Sequence, residues 1–289
     1  MAMQLIVNGL LLGGVYALLG LGMSIIFGIV GLTNLAHGEF VVLGAYAATL
    51  LAGALGADPL ITLLLTVPLM FLLGMGLQYL LINRAMKRGG EVALLVTFGI
   101  SIILQDGMLL LFSADARHAE TAYSLAFLRV GDLNISAVNL IVFGLCLVCV
   151  GVLTFFLHHT YMGRAIRAVS DDHGAARLCG IRIQRVYAVA MGVAMAMAAV
   201  AGTCVSLKWT FYPSSGGQYL LIAFIVVIIG GMGSVARTLA AGLAFGVLQV
   251  LGGANTGLVI SYAVLMVTLA FAPRRYLSTG PTEGGKSDE

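Results

Sequence analysis

Charged side chains are scarce in this sequence, and their scarcity excludes a soluble domain. Asp, Glu, Lys and Arg make up 9% of the 289 residues, whereas soluble proteins average about 25%. Apolar residues make up 60%, and the mean hydropathy is +1.05. Only Glu39 and Asp58 carry a charge before Arg84. Because one bilayer span takes about 20 apolar residues, the composition indicates a protein that crosses the membrane several times.

The long apolar runs lack the strict alternation that is typical of transmembrane barrel strands. Helices and closed barrels are the only structures that satisfy the backbone within lipid, so the fold class is predicted to be an all-α polytopic membrane protein. About nine membrane segments are expected, some of them broken or re-entrant. They are placed at 5–31, 36–55, 60–82, 92–112, 138–158, 187–207, 219–231, 238–253 and 257–272.

A basic segment is missing from the N-terminus, so the first apolar run is expected to remain as a membrane span rather than be cleaved as a signal peptide. Basic residues instead occupy alternate loops, including 84–88 and the long loop 159–186. The positive-inside rule places such loops in the cytoplasm. We therefore expect a periplasmic N-terminus and a cytoplasmic C-terminus.

The cysteines lack the neighbours that redox or metal chemistry requires. Cys146 and Cys149 form a C-x-x-C motif in the middle of an apolar segment, with no charged or His residue close in sequence. Buried free cysteine behaves as a small hydrophobe. We interpret both as structural, and expect neither a metal nor another cofactor.

The stretch "GPTEGGKS" at 280–287 fits the phosphate-binding pattern G-x-x-x-x-G-K-[ST], but lacks its structural context. A working loop is followed by a helix whose N-terminus holds the phosphates, and here only Asp288 and Glu289 follow. Residues 276–289 are expected to form a disordered tail, and residues 1–275 a single transmembrane domain. ATP is expected to bind to another subunit.

Two stretches are too polar or too short for a plain helix. "GLTNLAHGEF" groups Thr33, Asn34, His37 and Glu39 between apolar runs. It is either a re-entrant turn that lines a cavity, or a turn at the cytoplasmic mouth where Glu39 caps the next helix and His37 is solvated. The second stretch, "AFIVVIIGGMGSVARTLAAG", suggests a short or broken span.

Glycine, in contrast, is abundant, with 38 residues. Gly9 and Gly13, and likewise Gly242 and Gly246, form G-x-x-x-G pairs. Such pairs allow membrane helices to approach closely. They predict a tightly packed bundle.

The loop 159–186 carries signals of a short helix. Ser170, Asp171 or Asp172 is placed to cap its start, and Gly180 to end it. A loop that only fixes orientation would need a few basic residues and no capped structure. We therefore interpret the loop as a docking surface for a cytoplasmic partner.

Three ordered stretches carry a family resemblance: "GLTNLAHGEFVVLGAY", "MGRAIRAVSDDHGAARLCGI" and "AFIVVIIGGMGSVARTLAAGLAFGVLQ". They resemble the LivH-type permease subunits of branched-chain amino acid ABC importers and, more distantly, the ribose permeases. The resemblance covers about residues 4 to 275. It implies a subunit of the bacterial inner membrane that transports branched-chain or other hydrophobic amino acids or a related small solute, and no catalytic site.

The same resemblance implies roles for individual residues. Those expected to line the translocation path are Asn34, His37, Gly38 and Glu39. Those expected to couple to the ATPase are Gly163, Arg164, Arg167, Asp171, Ala176, Arg177 and Gly180.

The resemblance also implies partners: two ABC ATPase subunits, a periplasmic substrate-binding protein, and a second permease that is either of the LivM type or another copy of this chain. The lipid bilayer is a further expected partner. No nucleic-acid partner is expected.

Two other function classes lack the residues they need. A stand-alone ion-coupled secondary transporter requires intramembrane ionisable groups, and only His37, Glu39 and Asp106 are available. Asp106 is either buried and paired or close to water. An intramembrane enzyme requires paired catalytic groups such as H-E-x-x-H, and no such motif occurs in the sequence.

Overall fold

The structure is a computed structural model that describes residues 2–31, 33–130 and 133–271. The tail 276–289, the phosphate-loop pattern within it, and the basic pair Arg274 and Arg275 lie outside these residues. Apart from one short hairpin, the regular secondary structure of the described residues is helical, which confirms the predicted fold class.

Eleven α-helices and two strands follow one another along the described chain. They are α1 Ala2–Val30, α2 His37–Leu55, α3 Pro59–Leu77, α4 Asn83–Met86, α5 Gly90–Phe112, β1 Phe127–Val130, β2 Leu133–Ser136, α6 Ala137–His159, α7 Tyr161–Asp171, α8 His173–Leu178, α9 Ile183–Lys208, α10 Gly216–Gly230 and α11 Val235–Phe271. A π-helical turn, Gln78–Ile82, joins α3 to α4. The strands pair antiparallel, with Phe127 opposite Ser136.

Eight helical stretches of the described residues are long and apolar enough to cross a bilayer. They correspond to the first eight predicted spans, with bounds shifted by a few residues. The ninth prediction, 257–272, falls mostly within α11, after a break at Gly253 where φ is 75°.

Helices α1 and α9 form the centre of the bundle, since most of their residues are buried. Helix α1 packs along α11 at the two predicted G-x-x-x-G pairs. A Cβ on Gly13 would lie 2.6 Å from the Cα of Leu243, and a Cβ on Gly242 would lie 2.6 Å from the backbone nitrogen of Ala17. Only glycine permits these backbones to approach so closely. A hydrogen bond of 3.0 Å from Thr238 Oγ1 to Ser24 Oγ joins the same two helices.

The second predicted irregularity is confirmed as a short helix followed by a break. Helix α10 itself has 15 residues, about 22 Å at 1.5 Å per residue, which is shorter than the roughly 30 Å hydrocarbon core. Only with the preceding 3₁₀ turn Pro213–Ser215 does the stretch reach 18 residues. It ends at Gly230, and Gly231 and Gly233 have positive φ angles of 78° and 80°. Glycine adopts this left-handed conformation without a steric penalty, so the chain turns sharply into α11.

The bundle has two ends with different chemistry. The arginine end comprises 83–90, 159–182 and 231–235, and is joined to the end of α1 by a hydrogen bond of 2.5 Å from Ser170 Oγ to the carbonyl oxygen of Gly28. The hairpin end holds the start of α1, β1 and β2, and the end of α9. Two hydrogen bonds join the hairpin to α1. Gln4 Nε2 donates to the carbonyl oxygen of Asn134 at 2.7 Å, and Gln4 Oε1 accepts from the amide of Asn134 at 3.1 Å.

Glycine packing between α1 and α11 leads to a matched stability test. Gly13→Ala places a methyl group against the backbone of α11, whereas Gly144→Ala on α6 meets nothing within 4 Å. Overpacking costs about 1–3 kcal/mol, so we expect Gly13→Ala to lower the midpoint of thermal unfolding in detergent by several degrees. Gly144→Ala should leave that midpoint within about one degree. Equal midpoints for the two variants would contradict the close packing.

Candidate functional site

The polar stretch 33–36 runs back into the bundle after α1 ends. Gly31 leaves the helix with a φ of 66°, and by His37 the chain has returned to the level of Leu19. The ring nitrogen Nε2 of His37 lies 3.0 Å from the carbonyl oxygen of Leu19. Leu19 precedes Val30 by eleven residues, about 16 Å along the helix. Of the two sequence interpretations, the re-entrant turn therefore agrees with the structure.

Asn34 gives the returning chain its local structure. Its side-chain Oδ1 accepts a hydrogen bond of 3.1 Å from the amide of Ala36, an Asx turn of the kind that asparagine forms readily. The carbonyl oxygen of Asn34 accepts from the amide of His37 at 3.1 Å. The amide of Leu35 donates to Thr97 Oγ1 on α5 at 3.4 Å. Backbone groups that would be unsatisfied in lipid are thus paired within the protein.

The N-termini of α2 and α10 meet at this depth, and we call their contact the junction, formed by His37, Gly38, Glu39 and Gly216. A Cβ on Gly38 would overlap the carbonyl oxygen of Gly216, and a Cβ on Gly216 would overlap the carboxyl group of Glu39. Both glycines are therefore required for the contact. The first amides of a helix lack intrahelical acceptors and give its N-terminus a partial positive charge, and here Glu39 lies beside that end of α10.

Both ionisable residues of the junction are buried. His37 is 1% exposed and Glu39 is 4% exposed, so the interpretation in which His37 is solvated and Glu39 caps a helix in water is wrong. The helix cap is Ala36, which makes no side-chain hydrogen bond. Because a carbonyl oxygen only accepts, the hydrogen bond to Leu19 requires the proton of His37 on Nε2. Its Nδ1 and the Oε2 of Glu39 have no hydrogen-bond partner among the described residues.

A small cavity lies between the junction and the arginine end, and we call it the polar cavity after the buried amide and hydroxyl side chains in its lining. It is lined by Asn34, Gln78, Thr97 and Met191, among others, and has a volume of about 10 Å³. That volume suits about one water molecule and excludes an amino acid. Asn34, Gln78 and Thr97 are all buried.

The polar groups of this cavity continue toward α9 through the π-helical turn. Gln78 Nε2 donates to Asn83 Oδ1 at 3.0 Å, and Asn83 Nδ2 donates to the carbonyl oxygen of Gln184 at 3.4 Å. Turns of π-helix occur frequently at functional sites. Sequence reasoning missed Gln78, Asn83 and Thr97. The signal for Gln78 was a lone amide in the apolar run "GMGLQYLLI".

Toward the hairpin end, aromatic rings close the space beside α2. Tyr46 stacks on Phe112 with ring centroids 4.5 Å apart and meets Phe211 edge-on at 4.9 Å. The guanidinium of Arg117 lies 5.6 Å from the centre of the Tyr46 ring, a distance at which cation–π attraction operates. We call Tyr46, Phe112, Arg117 and Phe211 the aromatic lid. Tyr46 and Phe211 are fully buried, so aromatic side chains fill this side of α2.

At the arginine end, the loop 159–186 forms two helices rather than one. Asp172 caps α8, where its Oδ1 accepts from the amides of Gly174 and Ala175 at 2.7 and 3.0 Å. These hydrogen bonds, with the one from Ala175 contributing most, hold the pKa of Asp172 below its usual value. Gly180 follows α8 with a φ of 79°, as predicted. Of the three predicted caps, Asp172 is the one used.

Helix α7 was not predicted, and it divides the coupling residues between two faces. Thr160 caps it through a hydrogen bond of 3.0 Å from the amide of Gly163 to its Oγ1. Gly163 is buried on α7, as is Ala176 on α8. The predicted coupling residues that are exposed are Arg164, Arg167, Asp171, Arg177 and Gly180. The exposed side is therefore mostly cationic.

The remaining polar candidates do not join the junction. Asp106 is exposed on α5, which contradicts the first of its two sequence interpretations, burial with a partner. Cys146, Cys149 and Cys204 are free and buried, and Cys179 is free and exposed. Within the described residues, no cluster of three or more His, Cys, Asp and Glu side chains is placed to hold a metal ion.

Replacement of the junction glycine tests whether the helix contact matters for transport. Gly216→Ala would force the carboxyl group of Glu39 away from α10, whereas Gly217→Ala meets nothing within 4 Å. A displacement that costs about 1–3 kcal/mol corresponds to roughly a 5- to 150-fold effect on an equilibrium. We expect at least a five-fold loss of transport by the assembled transporter for Gly216→Ala and wild-type transport for Gly217→Ala. Equal transport by both variants would contradict a role for the contact.

Comparisons with known proteins give consistent matches along the chain. The high-affinity branched-chain amino acid transport system permease protein BraD of Pseudomonas aeruginosa is 28% identical over 306 aligned positions, with 97% of each chain covered. The corresponding LivH protein of Salmonella typhimurium is 29% identical, again with 97% of each chain covered. LivM of Escherichia coli is 26% identical, over 76% of this chain and 57% of that protein.

The fold also resembles a solved structure, PsaBC from Streptococcus pneumoniae in complex with Fab. The TM-score is 0.50, with 16% sequence identity and 93% of each chain covered, a likeness that concerns the fold alone. The family model described as "Branched-chain amino acid transport system / permease component" matches residues 5–272. Since that match covers nearly the whole sequence, the chain belongs to the family of branched-chain amino acid transport permeases.

Proposed function

We propose that the junction and the polar cavity form the gated part of the translocation path of this permease. The observation that carries the proposal is the meeting of two helix N-termini inside the bundle, beside a buried carboxyl group without a hydrogen-bond partner. Ionisable groups at membrane depth are costly and usually functional. Broken helices with buried N-termini are typical of transporter sites. Asn34, His37, Gly38 and Glu39 all contribute to this region.

The chemistry of the junction suits a zwitterion such as an amino acid. The carboxyl group of Glu39 complements an ammonium group, and the N-terminal amides of α2 and α10 complement a carboxylate. The apolar residues around the polar cavity, among them Ile26, Ile82 and Met191, suit an aliphatic side chain. This combination supports a branched-chain or other hydrophobic amino acid as the solute, in keeping with the printed names of the relatives.

The described path is closed, so passage requires movement. The polar cavity accommodates about one water molecule, and the aromatic lid closes the hairpin side. We propose that alternating access opens one of these closures at a time. The energy would come from ATP hydrolysis in partner subunits, since the chain belongs to a family of transport components.

We further propose that the arginine end faces the cytoplasm and that α7 and α8 dock onto an ATPase subunit. The positive-inside rule supports this orientation, which leaves the hairpin end for a periplasmic substrate-binding protein. Helix α7 buries Gly163, Ile166 and Val169 against the bundle, so its position is fixed. Movement of α7 would therefore be transmitted to α1, to which Ser170 is hydrogen-bonded through Gly28.

The complete transporter is proposed to hold two ATPase subunits and two permease subunits, with residues 1–275 of this chain as one permease domain. The second permease is either a LivM-type subunit or another copy. The exposed apolar faces of α3 and α5, which include Leu64, Leu72, Leu95 and Ile103, provide surface for both lipid and such a subunit.

Charge reversal tests the docking surface. Replacing Arg167 and Arg177 together by Glu places like charges where cations are expected to meet the ATPase, and such contacts cost several kcal/mol. We expect at least a ten-fold loss of co-purified ATPase. The matched control is Arg84→Glu with Arg88→Glu, which makes the same charge change on exposed residues elsewhere at the arginine end. ATPase yield that falls equally in both pairs, or in neither, would contradict a specific docking role for α7 and α8.

Cysteine accessibility tests the path. Leu35→Cys, introduced after replacement of the four native cysteines, places a thiol at a half-buried position. The leucine side chain that it replaces makes no hydrogen bond, so none is lost. We expect slow labelling by a water-soluble thiol reagent at rest, and a several-fold change when ATP and substrate-loaded binding protein are supplied, because alternating access moves water across a central site. A protein that retains only the exposed Cys179 is the control and should label in every state. State-independent labelling of Leu35→Cys would contradict the proposal.

A further inference from the structure

An open recess at the hairpin end combines a lysine with several uncharged hydrogen-bond donors. It has a volume of about 320 Å³. Its polar lining comes from four separate elements: Asn8 on α1, Asn134 and Ser136 on β2, Asn139 on α6, and Lys208 at the end of α9. The recess is separate from the junction, since the two share no lining residue.

Most donors in the recess have no acceptor. The Oδ1 of Asn8 accepts from Gln4 Nε2 at 3.4 Å, which leaves the Nδ2 of Asn8 free to donate. The side chains of Asn134 and Asn139 form no hydrogen bond within the described residues. Lys208 lies over the ring of Trp209, 5.2 Å from its centre, and no described carboxylate lies within 4 Å of its ammonium.

The start of α6 adds to the positive character of the recess. Ser136 is the N-cap residue of α6, and its side chain makes no capping hydrogen bond. The first amides of this 23-residue helix therefore give the recess about half a positive charge. Together with Lys208, this amounts to a site with a cation and neutral donors, which complements a single negative charge.

The edge of the recess is apolar and faces outward. Phe127 and Leu12 line it, and Phe127, Leu128, Leu10 and Leu251 are exposed. The recess lies where α1 begins and α9 ends, which is the level at which spanning helices leave the hydrocarbon layer. A solute from water would leave these apolar side chains uncovered, whereas a lipid would cover them with its acyl chains.

We propose that this recess binds the phosphodiester of an anionic phospholipid. The phosphate oxygens would accept hydrogen bonds from Lys208, Asn8 and Asn139, and the headgroup hydroxyls of a glycerol group would meet Asn134 and Ser136. A choline headgroup would bring a second cation next to Lys208, where the described residues offer no carboxylate to balance it. The bound lipid would join α1, α6, α9 and the hairpin at the end where a substrate-binding protein is proposed to dock.

The test measures lipid retained by the purified full-length permease, together with any subunits that co-purify. The protein is equilibrated with equal amounts of phosphatidylglycerol and phosphatidylcholine, and bound lipid is counted by native mass spectrometry. We expect phosphatidylglycerol to be retained preferentially. Lys208→Gln should reduce its retention about ten-fold, since hydrogen bonds to charged groups are the strong ones. Lys87→Gln, at an exposed lysine of the arginine end, is the matched control and should retain the wild-type amount.

Two further variants distinguish a loss of lipid binding from a loss of folding. Lys208→Arg keeps the charge and should keep the lipid, and Asn139→Leu should reduce retention while the thermal midpoint stays close to that of the wild type. Equal retention of both lipids, or a Lys208→Gln variant that retains as much phosphatidylglycerol as Lys87→Gln, would overturn the proposal. Release of the lipid by millimolar inorganic phosphate or by leucine would assign the recess to a free anion and would likewise overturn it.

Discussion

Within lipid, each peptide group must find a hydrogen-bond partner inside the protein, and the interior of this bundle depends on that constraint. Two non-helical segments, 33–36 and 209–212, lie between helices of the bundle. The first is satisfied by the Asx turn of Asn34. The second pairs with the loop after α5, where Arg117 and Phe211 exchange backbone hydrogen bonds of 3.0 and 2.9 Å. Helices can start inside the protein only because these segments are paired and screened by α1 and α9.

Close contact between helices then depends on glycine at a few positions. At Gly38 and Gly216 any larger side chain would separate the N-termini of α2 and α10, and at Gly13 and Gly242 it would separate α1 from α11. The same steric constraint, the absence of space for a Cβ, acts in both places. Between α1 and α11 it gives a rigid frame, and at the junction it brings the carboxyl group of Glu39 against a helix N-terminus. In the proposed path, this frame would hold the buried carboxyl group of Glu39 in place.

The ionisable side chains discussed above lie in three separate parts of the bundle. The exposed arginines of α7 and α8 lie at one end, where a protein partner can reach them. Lys208 lies at the other end, among amide donors and beside apolar surface. Glu39 lies between the two ends. Because ionisable groups at membrane depth are costly and usually functional, the buried carboxyl group of Glu39 most requires a functional explanation.

The sequence by itself determined the fold class, the first eight spans, the short α10 and the end of α8. These follow from local properties, namely apolar length and glycine placement. It narrowed the cap of α8 to three residues. The family resemblance supplied the residues that are proposed to line the path and to couple to the ATPase. The tertiary structure decided that 33–36 is re-entrant, that His37 and Glu39 are buried, and that Asp106 is exposed. It also placed Gly38 against Gly216, Asn34 beside Gln78 and Thr97, and Asn8 near Lys208. These contacts join residues far apart in the chain, and the free energy of burying a polar group depends on which distant helix supplies its partner, which no local pattern records.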